Sequence, residues 1–170
     1  MREQLNDLTR ETLAGIIEDF AKNWLAHCGL WFQGVEQKSG MATAIELDEQ
    51  AWAKFSGIEA KRIMARHLIP PHSGLEGLRK ALQYRLYAFL NTQKFANITL
   101  DSFEFYMVEC RVQHARRQKG LPPFPCKTVG IIEYEVFAKT IDDRISTTCL
   151  CCPPDDQAGG EHWCGWRFSI

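Results

Sequence analysis

Apolar residues recur at helical spacing through the first half of the chain. Leu13, Ile16, Ile17, Phe20, Trp24, Leu25, Cys28, Trp31, Phe32 and Val35 fall at i, i+3, i+4 and i+7. That period predicts one long amphipathic helix ending near Gly40. A second helix is predicted from about Met41 to Leu68, its buried stripe marked by Ala44, Ile45, Leu47, Trp52, Phe55, Ile58, Ile63 and Met64. Pro70-Pro71 stops it, because proline lacks the donor and clashes with the preceding turn. Ser73 with Glu76 forms a capping-box pattern ahead of a third helix, whose apolar face is Leu75, Leu78, Leu82, Leu86 and Phe89.

After Asn91 the period shortens. Asn97-Ile98-Thr99-Leu100 and Phe103 to Val108 are rich in β-branched and aromatic residues, which predicts a strand pair or hairpin. Arg111 to Lys119 reads as a short basic helix closed by Gly120, and Pro122-Pro123-Phe124-Pro125 as a rigid connector. Val129 to Thr140 is helical, with Val129, Ile132, Val136 and Phe137 on one face. Arg144 to Leu150 and His162 to Ile170 read as two closing strands around the turn-rich segment from Pro153 to Gly160. The expected class is α+β: N-terminal helices packed on an antiparallel sheet, followed by a C-terminal helix and a closing hairpin. Helices occupy residues 1–92 and mixed structure 93–170, within one domain.

Composition narrows the function classes. With 170 residues the chain can bury a core of its own. A formal net charge of -1 supplies no global field for nucleic acid or an anionic membrane. No apolar run reaches the roughly 18 residues that span a bilayer, and Met1 to Asp7 lacks the apolar core of a signal peptide. A cytoplasmic protein is therefore expected. In that compartment its seven cysteines should be thiols or metal ligands rather than disulfides.

Four of those cysteines form a pattern. Cys149 and Cys152 make a C-x-x-C knuckle, Cys126 opens the last helix, and Cys164 begins the last strand. Thiolates gathered from a knuckle and two outlying positions suit a tetrahedral soft-ligand site, with zinc the usual occupant. An iron–sulfur cluster can use the same thiolates. The alternative is that they are small buried hydrophobes with no metal. With all four positions filled by protein, a metal here would be structural. Cys151 should point to the opposite strand face from Cys152.

The spacing from Cys126 through Val129-Gly130-Ile131-Ile132-Glu133-Tyr134 and Cys149-Leu150-Cys151-Cys152 to Cys164-Gly165-Trp166-Arg167-Phe168 resembles the 4-vinyl-reductase domains. These include the sensory domains of phenol-responsive activators and relatives of a bacteriochlorophyll vinyl reductase. Two departures stand out: Cys149 occupies a position that looks like Glu in the phenol sensors, and the gap from Cys152 to Cys164 is longer than usual. The segment Cys110-Arg111-Val112-Gln113 is similar to one in an uncharacterised prokaryotic group, and the ending is similar to that of 2-amino-thiazoline-4-carboxylate hydrolase-like proteins. The resemblance implies the fold shared by haem-nitric-oxide sensors and Golgi transport-particle subunits, in which helices and sheet enclose an apolar pocket. It implies zinc rather than iron–sulfur on Cys126, Cys149, Cys152 and Cys164, and dimerisation through the long N-terminal helices.

The expected function is a binding domain for a small apolar or aromatic molecule, with Trp24, His27, Trp31, Tyr106 and Cys110 as candidate ligand contacts. Aromatic walls with a few polar groups suit such sites, although aromatic residues at helical spacing are more often core. The alternative is a hydrolase or a reductase-linked enzyme acting on a small organic substrate. Glu104, Glu109 and His114 are then the candidate acids and bases. Glu104, Tyr106 and Glu109 share one strand face, most simply a solvated one, and the Arg111, Arg116, Arg117 and Lys119 run reads as solvated surface too small for a nucleic-acid footprint.

Overall fold

The computed structural model describes residues 3–155 and 160–170. Its elements are α1 (Glu3–Asn6), α2 (Arg10–Ser39), α3 (Met41–His67), α4 (Gly74–Leu82), a 3-10 turn (Leu86–Phe89), β1 (Thr92–Ala96), β2 (Ser102–Glu109), α5 (Arg111–Gln118), α6 (Lys127–Ile141), β3 (Ser146–Cys151) and β4 (Cys164–Ser169). The architecture is α+β, and all three strand pairings in the sheet are antiparallel, in the order β1-β2-β4-β3. Within the predicted turn-rich segment, residues 156–159 lie outside the described residues.

The helix boundaries follow local chemistry. Thr9 caps α2 by accepting from the Thr12 amide. Gly40, at φ +85°, separates α2 from α3 in a conformation that costs a side chain but not glycine. The expected Ser73 capping box does not form. Ser73 sits at φ -82°, ψ 7° rather than extended, and its hydroxyl is buried without a hydrogen bond. The cap comes from far along the chain: Asp142 Oδ2 accepts the Gly74 amide at 3.0 Å. The predicted apolar face of this helix is also divided, because α4 ends at Leu82 and Leu86 to Phe89 continue as the 3-10 turn.

The first strand differs from expectation as well. It is Thr92–Ala96, and Asn97 to Leu100 turns between the strands. Asn97 adopts φ +48°, while the Thr99 amide and hydroxyl both donate to the Ser102 carbonyl, so local polar bonding overrides β-propensity. β2 then alternates cleanly. Phe103, Phe105 and Met107 are buried, with Phe103 opposite Phe168 and Phe105 opposite Trp166 on β4.

That sheet face packs on α6, and α3 packs on α6 in turn. Tyr134 is the pivot, 4.7 Å from the Trp166 ring and 6.0 Å from Phe105 between ring centres. The approach is close: a Cβ added at Gly130 would lie 2.7 Å from the Trp166 ring. The buried stripe of α6 is Val129, Glu133, Tyr134, Phe137, Ala138 and Ile141, turned from the predicted face so that Ile132 and Val136 are only half-buried. On α3, Leu47 and Ile58, predicted to be buried, are exposed, and Ser56, Glu59 and Ala60 take the interior. The outermost helix, α2, lies against α3 and buries only Ala21 below the surface. Among the described residues no helix is long and apolar enough to cross a membrane.

Candidate ligand cavity and cysteine cluster

A cavity of about 740 Å³ lies between α2, the N-terminal half of α3, α5 and the first turns of α6. Its walls are largely aromatic: Trp24 and Phe32 from α2, Trp52 and Phe55 from α3, Tyr87 from the 3-10 turn, Phe124 from the proline connector, and Tyr134 and Trp166 from the core. The periodicity of α2 and α3 delivers the first four, since residues three and four apart share a helix face. The rings brace one another. Trp24 stacks on Phe55 at 5.7 Å and Trp52 on Tyr87 at 5.9 Å.

One end of the cavity is closed by α5 and its connector. Arg116 is buried rather than solvated, because its guanidinium forks the Glu36 carboxylate of α2 at 2.8 and 3.0 Å while Nε donates to the Pro122 carbonyl. Gln113, also buried, pairs its side-chain amide with the Phe124 backbone in both directions, at 2.8 and 2.9 Å. The same Gln113 nitrogen donates to Cys126 Sγ at 3.6 Å.

The same side carries cysteines. Cys126 Sγ and Cys152 Sγ are 3.5 Å apart, and Cys164 lies near Cys152. The Trp166 indole donates to Cys164 Sγ at 3.4 Å. The hydrogen bond between Cys126 and Cys152 raises the Cys152 thiol and lowers Cys126 below its ordinary value. Cys110 lines the cavity together with these three, and burial pushes its thiol up to about 12. Cys149, the fourth predicted ligand, packs against the core beside them but is not part of the cavity wall. Leu150 is bulged between the Cys149 and Cys151 pairings with β4. Cys151 lies beside Gly165 on the outer face with Tyr106, opposite to Cys152.

Metal fit can be judged from these sulfurs. A tetrahedral zinc with bonds of about 2.3 Å spaces its thiolates by roughly 3.8 Å. The Cys126–Cys152 separation of 3.5 Å is close to that spacing. Among the described residues no three cysteine sulfurs lie mutually within 4.8 Å, so the four sulfurs are not gathered at the spacing a bound metal would impose. Backbone ties already hold the knuckle on the helix start: the Lys127 amide donates to the Pro153 carbonyl at 3.0 Å, and Lys127 Nζ pairs with both Asp155 oxygens at 2.9 Å. His72, Asp142 and Asp143 also gather within 4.8 Å. That group is a structural corner, since Asp142 is committed to Arg144 and to the Gly74 amide.

The other sequence candidates separate. Trp24 and Cys110 line the cavity. His27 and Trp31 do not; they line a shallow groove on the outside of α2 and α3, and Trp31 is 68% exposed. They lie on the opposite stripe of α2, which carries apolar residues on two faces. Tyr106 is on the outer sheet face, where its hydroxyl donates to Glu104 at 2.7 Å and burial with this bond pushes it up to about 12. That face is not simply solvated, for Glu104 is buried under Arg167 and Tyr106. Glu104, Glu109 and His114 are all absent from the cavity wall.

Sequence reasoning missed the acidic side of the site. Glu133 lies on the cavity wall and is 7% exposed; Asp48 is half-buried on the same wall. Behind Glu133, the fully buried Arg85 meets Glu59 Oε2 at 2.8 Å and Glu133 Oε1 at 2.7 Å, under the faces of Trp52, Tyr87, Tyr134 and Phe137. The Glu133 contact is off the hydrogen-bond direction. Burial pushes the Glu133 carboxyl up to about 7 against the pull of Arg85, and Asp48 up to about 6 against the Trp52 indole N–H. A signal was present: Ala44, Asp48, Trp52 and Val129, Glu133, Phe137 put carboxylates at the centre of apolar stripes.

The structure is thus a helical layer on an antiparallel sheet, with an aromatic-walled cavity between its elements. Residues 6–170 match the family described as "Family of unknown function (DUF6125)", and the chain belongs to that family. No curated protein matches it.

Proposed function

We propose that the chain is a binding domain for a small apolar or aromatic molecule, held in the cavity between α2, α3, α5 and α6. The observation that carries this reading is the cavity itself: about 740 Å³, the size of pockets that enclose drug-sized molecules, with walls from elements far apart in sequence. The reading agrees with the likeness to 4-vinyl-reductase-like domains. In it, Cys126, Cys149, Cys152 and Cys164 form a structural zinc clasp that holds the closing hairpin to α6, supported by the near-ligand spacing of Cys126 and Cys152. Dimerisation through α2 belongs to the same proposal, supported by the exposed Ile17, Phe20, Leu30 and Trp31.

The test is to fill the cavity. Gly29 lies on its wall, and a Cβ there meets no atom within 4 Å. Native mass spectrometry of the purified protein should find a retained small molecule that Gly29→Phe excludes without loss of helicity. Equal retention by both proteins, or an empty wild type that no apolar probe stabilises against heat, overturns the reading. Metal analysis should give about one zinc per chain. A zinc-free protein whose melting is unmoved by chelator removes the clasp and leaves the cavity proposal standing.

A further inference from the structure

We propose that the molecule the cavity accepts is an organic amine, with a flat apolar body among Trp24, Trp52 and Phe55 and a basic nitrogen recognised by Asp48 and Glu133. This rests on the cavity being the binding site and adds the chemical class of its occupant.

Behind the wall a single guanidinium, Arg85, faces two carboxylates, Glu59 and Glu133, so the buried group carries one negative charge more than it neutralises when all three are ionised. Asp48 adds a second. The Trp52 indole favours its charged form, and no cation among the described residues pairs with it. Glu133 and Asp48 share the cavity wall, and the charge on Asp48 opposes ionisation of Glu133. An anion in an apolar cavity without a counter-ion is costly, and the cost is removed by an incoming cation or by a proton. Protons can serve: burial has pushed both carboxyls towards neutrality. An ammonium would replace them and gain the aromatic faces, which attract cations through the ring quadrupole.

The cavity's own cations do not meet this need. Lys22 pairs with Glu18, Arg116 is forked by Glu36, Lys119 donates to Gln33, and Arg111 is exposed on the rim. Shape therefore selects an apolar body, and the acids select its nitrogen.

Isothermal titration with three matched probes tests this: tryptamine, its alcohol isostere tryptophol, and indole-3-propionate. Tryptamine should bind about tenfold or more tightly than tryptophol, the difference expected of one charge-assisted hydrogen bond. Titration at pH 7 in buffers of different ionisation enthalpy should show proton release with the amine and none with the alcohol. In Asp48→Asn and Glu133→Gln the ratio of amine to alcohol affinity, which a general loosening of the fold does not move, should fall towards one. The proposal is overturned if tryptophol or indole-3-propionate binds as tightly as tryptamine, if none of the three binds, or if both variants keep the preference. Binding of all three that survives Gly29→Phe would instead overturn the cavity as the site.

Discussion

The interior built from α3, α6 and the sheet and the outer helix α2 begin from the same kind of sequence and end in opposite conditions. Both α2 and α3 carry apolar residues at helical spacing over about thirty positions. α3 uses one stripe to bury Trp52, Ala60, Ile63 and Met64, and places Asp48 and Glu59 in the same stripe. α2, at 30 residues, buries only Ala21, divides its aromatic residues between the cavity and the exterior, and leaves Phe20 69% exposed. Periodicity marks which face is apolar. The rest of the fold decides whether that face meets core, ligand or nothing within the chain.

The sharpest way to break this contrast is to strike the buried charge. Arg85→Met should cost about 3–5 kcal/mol, because it leaves Glu59 and Glu133 buried without their cation. Urea unfolding measures it. A cost below about 1 kcal/mol would mean that both carboxyls are simply protonated in the variant, and raising the pH should then restore the loss.

Asp142→Asn comes next, at about 1–3 kcal/mol, since this buried carboxylate serves both Arg144 and the α4 amide. Its sign with pH is set by Arg144, which holds the carboxyl well below its ordinary value of 3.8. The stabilisation is therefore full above the ordinary carboxylate range and drains away as pH falls through it. Glu133 acts in the opposite sense. Burial raises it from 4.5 to about 7, so the native protein keeps a proton that the unfolded chain has released, and its contribution declines as pH rises across that interval. Thermal melts of Asp142→Asn and Glu133→Gln against pH should separate the two slopes.

The smallest effect belongs to α2. Trp31→Ser should change the stability of an isolated chain by no more than about 0.5 kcal/mol, as exposed positions generally do. A larger loss, together with a shift in sedimentation to a smaller species, would show that a second copy covers this face.

Much of the fold was legible because it depends on local rules. Gly40, the proline pair after α3 and the alternation of Phe103, Phe105 and Met107 each act within a few residues. The knuckle and the two outlying positions group Cys126, Cys149, Cys152 and Cys164, of which the structure brings Cys126, Cys152 and Cys164 to one cavity wall and leaves Cys149 off it. What escaped depends on partners distant in sequence. Asp142 caps α4 from 68 residues away, displacing the Ser73 box. β1, with Phe95 as its one large apolar residue, is made a strand by pairing with β2 and not by its own composition. Arg85 has no periodic signature, and its burial makes sense only once Glu59 and Glu133 face it. His27 and Trp31 were set in a pocket because helical spacing does not tell the two apolar faces of α2 apart.

The strand order carries a consequence for how the molecule is made. β4, last of the four strands in chain order, lies between β2 and β3, and its Trp166 forms part of the cavity wall. During synthesis the sheet has a vacant central lane until that strand leaves the ribosome, so β1-β2 and β3 cannot meet through their own pairing. The cavity wall is therefore completed late, by the same pairing of β4 that closes the sheet.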